Sequence, residues 1–219
     1  MLKGVIFDHD GTLVDSERKH YGLWVDILAE FGIDFPEEVY KTHLAGVPTQ
    51  FNARYLVDTY NLPLSADELF AKREIATNAT LGKEACPLIP GAKQLVQWVH
   101  GRQLAMAIAT GAATREVEPT LSQHGFAQYF PIVASRDHVD NAKPAPDVYQ
   151  YALDKLGLQA KQCIAIEDSP TGLKSAIACG IDCIVVQNDY SRGHDFSGAL
   201  AVFDRMDEAQ NHLAKMLDV

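Results

Sequence analysis

The chain has 219 residues, 47% of them hydrophobic, enough to bury a sizeable core as one large domain or as one domain with a smaller insert. A formal charge of −10 excludes the basic face that nucleic-acid binding needs, so an anionic ligand has to be held by a few local cations and backbone N–H groups. No stretch approaches the roughly 18 consecutive apolar residues of a membrane span, and the first residues run straight into a strand pattern rather than a leader, which makes the cytoplasm the expected location.

The run Val5-Ile6-Phe7 is too short and too uniformly apolar for a half-exposed strand and predicts the central strand of a covered parallel sheet. Asp8, Asp10 and Gly11 follow at its carboxyl end, the edge where ligands bind in open α/β sheets. Asp15 or Ser16 can cap a helix in which Tyr21, Trp24, Val25, Leu28 and Phe31 recur at helical spacing, ending near Gly32. Residues 37–84 stay helical in pattern, broken at Gly46-Val47-Pro48 and Asn61-Leu62-Pro63. A purely helical block after the first strand predicts a separate lid, hinged near 12–15 and 83–90.

From Pro90-Gly91 the alternation of α/β proteins begins, with an amphipathic segment through Leu95, Val96 and Val99 and a strand at 104–109. A helix follows from 114 to about 124, in which Pro119 predicts a kink or a late start. Strands are predicted at 131–134, 163–166, 184–186 and 201–203, and helices at 146–156, from Ser169-Pro170 to Gly180, and at 208–217. Cys86, Cys163, Cys179 and Cys183 read as small core residues, and the eight scattered histidines show no transition-metal spacing.

The carboxyl ends of four strands thus deliver Asp8 and Asp10, then Thr110-Gly111, then a loop carrying Lys143, then Glu167-Asp168. That inventory suits phosphoryl transfer. A carboxylate approaching a phosphate is repelled by roughly 4 kcal/mol per charge pair at about 4 Å, and cations must offset it. Lys143 offers one, while Asp8, Glu167 and Asp168 with the Asp10 carbonyl make an all-oxygen set suited to Mg²⁺. Thr110 can donate its hydroxyl to a phosphate oxygen, and Gly111 leaves its backbone N–H open to the same group. Taken singly, each has a plain alternative: an Asp-rich turn, a strand-end threonine, a solvated lysine, an acidic helix N-terminus.

FDHDGTLVDSE, IATG, AKPAPDVY and IAIEDSPTGLKSAIACGI together resemble the four signature motifs of the haloacid dehalogenase-like (HAD) hydrolases, in order and over nearly the whole chain. The helical block resembles the cap of the branch containing β-phosphoglucomutase and phosphoglycolate phosphatase. The resemblance implies a Rossmann-like α/β core at 1–15 and 86–219, an all-helical cap at 16–85, Mg²⁺ dependence and an aspartyl-phosphate intermediate on Asp8. It also implies that Asp10 protonates the leaving oxygen and then activates water. A departing alkoxide needs that proton and a halide does not, so Asp10 disfavours dehalogenation. His9 stands where the family often has an apolar residue; only its backbone N–H is expected to touch phosphate, with no catalytic role for the imidazole.

His20 and Trp24 resemble cap positions of the mutase. Against that, Gly46-Val47-Pro48-Thr49 lacks the mutase's following Arg, Glu74 follows Arg73 where the mutase has a Lys, and Ala112-Ala113 replace its Ser and Lys. The cations that would grip a second phosphate look absent. The expected function is therefore hydrolysis of a small phosphorylated metabolite, a sugar phosphate or similar monophosphate, with His20 and Thr49 as cap-side contacts. The alternatives are a sugar-phosphate mutase and, further off, a non-catalytic phosphate-binding module. Trp24, Lys72 and Arg73 complete the cap residues expected to set selectivity, and nothing in the sequence calls for a protein partner, nucleic acid or membrane.

Overall fold

The structure is a computed structural model and describes residues 1–217; the last two residues of the 86–219 segment lie outside the described residues. Six strands form one parallel sheet: β1 (Gly4–Phe7), β2 (Ala105–Ala109), β3 (Val133–Ala134), β4 (Cys163–Glu167), β5 (Asp182–Val186) and β6 (Ala201–Phe203), in the order β3-β2-β1-β4-β5-β6. All four residues of β1 are buried, as a strand covered on both faces requires. Phe7 lies beside Ile108 on one side and Ile166 on the other, so the strands stop at a common edge. The chain leaves β1 toward β2 and later returns to its opposite side as β4, which opens a crevice at the end of β1.

Side-chain alternation along β1 divides the core. Val5 and Phe7 pack against α5 (Ala92–Gly101), α6 (Thr114–Gln123) and α9 (Met206–Leu217) through Leu95, Val96, Val99, Val117 and Leu213. Ile6 faces α7 (Asp147–Leu156) and α8 (Pro170–Ala178) through Val148, Tyr149, Leu153, Leu173 and Ala176. Pro119 neither delays nor ends α6, which begins at Thr114; the ring is buried within a continuous helix. Three of the four cysteines are buried and all are free, as expected of small core residues.

Between β1 and β2 stand α1 (Glu17–Ala29), α2 (Glu37–His43), α3 (Thr49–Tyr60) and α4 (Ala66–Thr80). They enclose a core of their own: Trp24, Leu28, Phe35, Tyr40, Leu44, Leu56 and Leu69. The α4 start is fixed locally, since Ser65 Oγ accepts the Glu68 N–H and the Glu68 carboxylate accepts the Ser65 N–H. Helix α1 starts without such a cap. Ser16 occupies the capping position, but its hydroxyl points elsewhere, and the helix stops at Ala29, short of Gly32. The cap also touches the core directly: Tyr190, from the loop after β5, packs edge-on against Tyr40, with ring centroids 5.9 Å apart. Among the described residues no helix is long and apolar enough to cross a membrane.

Candidate active site

Asp8 begins where β1 ends, its N–H held by the Ile166 carbonyl 2.9 Å away. Its Oδ1 accepts from Lys143 Nζ at 2.6 Å, and the same ammonium donates to Glu167 Oε1 at 2.6 Å and to the Ala109 carbonyl at 2.9 Å. All three ammonium hydrogens are thereby used, on three neighbouring strand ends. Tyr149 donates a further bond to Glu167 Oε1 at 2.7 Å. Asp168 is held by Thr12 Oγ1 at 3.2 Å and by Asn188 Nδ2 at 2.8 Å.

Two glycines make this packing feasible. A Cβ on Gly11, where φ is +78°, would lie 2.1 Å from Asp168 Oδ2, and one on Gly172 would lie 2.0 Å from Glu167 Oε2.

Asp8, Glu167 and Asp168 are buried, and each offers an oxygen within 4.8 Å of the others'. Burial pushes the Asp8 carboxyl up to about 7, with Glu167 adding to the effect and Lys143 opposing it. Burial likewise holds Asp168 well above the usual carboxylate range, with Asp8 and Glu167 contributing. Burial alone would depress Lys143, but Asp8 and Glu167 outweigh it and raise the ammonium above its ordinary value. Three carboxylates thus share one cation. That charge imbalance, with oxygen donors alone, fits a hard divalent ion such as Mg²⁺.

The Asp10 side chain lies outside this trio, so the expected metal contact there rests on its backbone carbonyl alone. Its Oδ1 accepts the Ser16 hydroxyl at 2.6 Å and stands 3.6 Å from His20 Nε2; its Oδ2 is 3.2 Å from His9 Nδ1. Burial works to raise this carboxyl, but His9 and His20 more than offset it and leave Asp10 well below the usual range. Thr110 is buried and its Oγ1 accepts the Ala112 N–H at 3.0 Å, which leaves its hydroxyl hydrogen to donate. Among the described residues, apart from its own chain neighbours, no atom lies within 4 Å of where a Gly111 Cβ would sit, so the space beside it is open.

These groups floor a cavity of about 460 Å³ whose wall includes Asp8, Asp10, Thr110, Gly111, Lys143 and Asp168 from the core and His20, Trp24, Thr49 and Arg73 from the cap. Glu167 supports the floor from beneath. Lys72 points away and pairs with Glu30 at 2.7 Å. Arg73 is buried, with its guanidinium on the Thr77 hydroxyl, on His20 Nδ1 at 2.8 Å and over the Trp24 ring. A guanidinium only donates, so His20 Nδ1 accepts and its N–H on Nε2 faces Asp10.

Several residues were not anticipated. Arg115 and Arg136 stand in the cavity wall, where the sequence suggested that distal cations were absent. Both are engaged: Glu74 of α4 lies 2.6 Å from Arg136 and 3.3 Å from Arg115, and Glu116 lies 3.3 Å from Arg136. Both follow a strand end, the one signal that could have flagged them. Asn188 and Tyr149, which brace the acidic groups, carried no such signal. His9 departs furthest from expectation, because its buried imidazole, and not its N–H alone, joins the site through Asp10.

Residues 5–186 match the family model described as haloacid dehalogenase-like hydrolase. The chain belongs to that family. Fructose-1-phosphate phosphatase YqaB of Escherichia coli (strain K12) is 32% identical over 186 residues, which span 84% of this chain and 96% of that protein. Protein CbbY of Rhodobacter capsulatus is 34% identical over 213 residues, 90% of this chain and 91% of the relative. Among solved structures, CbbY from Rhodobacter sphaeroides in complex with phosphate superposes with a TM-score of 0.79 at 27% identity, covering 93% of this chain and 94% of that one. Here a parallel-sheet core carries a helical cap beside its strand ends.

Proposed function

We propose that this chain is a Mg²⁺-dependent phosphomonoesterase that hydrolyses a small phosphorylated metabolite, a sugar phosphate or similar monophosphate, through an aspartyl phosphate on Asp8. The observation that carries the reading is the placement of Asp8 at the floor of a cap-covered cavity, its Oδ1 fixed by Lys143 at 2.6 Å, with the second carboxylate of Asp10 on the cap side. A phosphatase assignment also agrees with relatives such as YqaB. The division of the chain at 1–15 with 86–219 and 16–85 belongs to the same proposal: the core supplies the chemistry and the cap closes over it.

Asp8 and Asp168, with the Asp10 carbonyl, would hold the ion. Glu167 is already committed to Lys143 and Tyr149 and acts by fixing the ammonium. The bound ion supplies charge screening for an anionic phosphate beside anionic side chains. Asp10, ionised in the free site, takes up a proton as the anionic substrate binds beside it; Asp8 then attacks phosphorus, its O–P bond forming as the bond to the leaving oxygen breaks, and Asp10 passes its proton to that oxygen. Thr110 and the Gly111 N–H bind phosphate oxygens, and Lys143 aims the nucleophile and opposes the burial that favours its protonated form. Asp10, now a carboxylate, takes a proton from the water that cleaves the acyl phosphate and returns Asp8.

Turnover of p-nitrophenyl phosphate by wild type, Asp8→Asn and Asp10→Asn tests the mechanism. Both variants are expected to be inactive, and full activity in either removes it. Arg115 and Arg136 give a sugar-phosphate mutase a specific footing, but Glu74 and Glu116 already occupy them. Phosphate release without isomer formation separates the two reactions.

A further inference from the structure

We propose that the His9 imidazole is a positioning residue for Asp10, fixing one oxygen of its carboxyl group so that the other is presented to the leaving group. The proposal rests on the phosphatase reading above. His9 and Thr120 are almost fully buried, at 2% and 1% exposure, so polar atoms there must find partners inside the protein. The ring meets that demand at both ends: Nδ1 lies 3.2 Å from Asp10 Oδ2, and Nε2 lies 2.9 Å from the Thr120 hydroxyl on α6.

The direction of the first bond follows from chemistry. Oδ2 accepts both when the carboxyl group is ionised and when its proton sits on Oδ1, so Nδ1 carries a hydrogen whatever the protonation of the rest of the ring. Thr120 can complete Nε2 in either sense, because a hydroxyl donates or accepts. The pairing with Thr120 anchors the ring to a helix of the core rather than to the cap, so the place of His9 does not depend on cap residues.

The two oxygens of Asp10 are thereby made unequal. Oδ2 is held from the core by His9. Oδ1 accepts the Ser16 hydroxyl and stands near His20, a residue of the cavity wall, and in this proposal it is the oxygen that carries the proton to the substrate. With an apolar side chain at position 9, Oδ2 has no such partner, and the carboxyl group turns about its bond more freely. A general acid contributes about 10²–10⁴ in rate when well placed. Loosening its placement removes part of that factor, and only for substrates whose leaving oxygen needs a proton.

The test compares kcat/KM for an alkyl ester, fructose 1-phosphate, and an aryl ester, p-nitrophenyl phosphate, whose leaving group departs unprotonated. This parameter reports transfer to Asp8 and omits the later hydrolysis. His9→Leu is expected to lower the alkyl value about tenfold or more and the aryl value less than about threefold. His9→Asn, whose amide N–H can replace Nδ1–H, should bring the alkyl value back to within about threefold of wild type. Equal losses on both esters, or no loss on either, overturn the proposal while leaving the phosphatase reading intact. Wild type inactive on both esters defeats the phosphatase reading and this proposal with it. Nitrogen NMR of wild type gives a readout that needs no variant: Nδ1 of His9 must be protonated, and an unprotonated Nδ1 overturns the proposal by itself.

Discussion

Gly172→Ala sets two ordinary expectations against each other. Gly172 lies in the first turn of α8, where replacing glycine by alanine should strengthen the helix by about 1 kcal/mol. The new Cβ, however, would fall 2.0–2.1 Å from three atoms of the Glu167 carboxylate, so the carboxylate has to leave its place. Leaving breaks the bonds from Lys143 at 2.6 Å and Tyr149 at 2.7 Å. Hydrogen bonds to charged groups contribute about 1.5–3 kcal/mol each, so losing both costs about 3–6 kcal/mol and the net loss is about 2–5 kcal/mol. For a chain of this size each kcal/mol moves the midpoint by about 2–4 °C, which places the drop in Tm at about 4–20 °C. A thermal melt followed by circular dichroism reads it. A variant that melts at or above the wild-type temperature would refute the idea that the Glu167 carboxylate is fixed against this helix.

Two further outcomes follow from the charges. Asp8 holds its proton up to about pH 7 in the folded protein against an ordinary value of 3.8, so the native state binds the extra proton between them and this group's contribution to stability falls as pH rises through that window. Mg²⁺ has to displace that proton, so the rise in Tm on adding Mg²⁺ should be larger at about pH 8 than at about pH 5; an equal rise at both would show that Asp8 does not exchange a proton for the ion. Glu74→Gln should weaken cap closure by about 1 kcal/mol through loss of the pairs with Arg136 and Arg115, raising KM about threefold to fivefold at low salt with little change in kcat. An unchanged KM at low salt would show that the pairs do not hold the cap.

Much of the floor of the site was legible because Asp8, Thr110 and Glu167 each directly follow an apolar run. Once β1, β2 and β4 are recognised as parallel neighbours, Asp8, Thr110 and Glu167 must share an edge. Lys143 was harder to place, since its loop after β3 is long, yet the distances of 2.6 Å to Asp8 and Glu167 put it where the charge argument required. The cap wall could not be read in the same way. Whether Arg73, Lys72 or Glu74 faces the cavity depends on how α4 is rotated against α1 and α3, and neighbouring positions on a helix differ by about 100°. Arg73 turned inward to Trp24 and His20, Lys72 outward to Glu30, and Glu74 across to the core. The role of the His9 ring was hidden for a different reason: its partner Thr120 is remote in sequence, and nothing at position 9 announces it.

The central position of β1 bears on how the enzyme is made. Gly4 pairs with Ala105 on one flank and with Cys163 on the other, so the strand that leads into Asp8 leaves the ribosome before either partner and waits for residues far along the polypeptide. Contacts of such long range are slow to form, whereas the helical insert draws nearly all of its own core from a single contiguous segment. The nascent chain can therefore fold its cap first, and the acidic group of Asp8, Glu167 and Asp168 is complete only once β4 and the residue after it have left the ribosome.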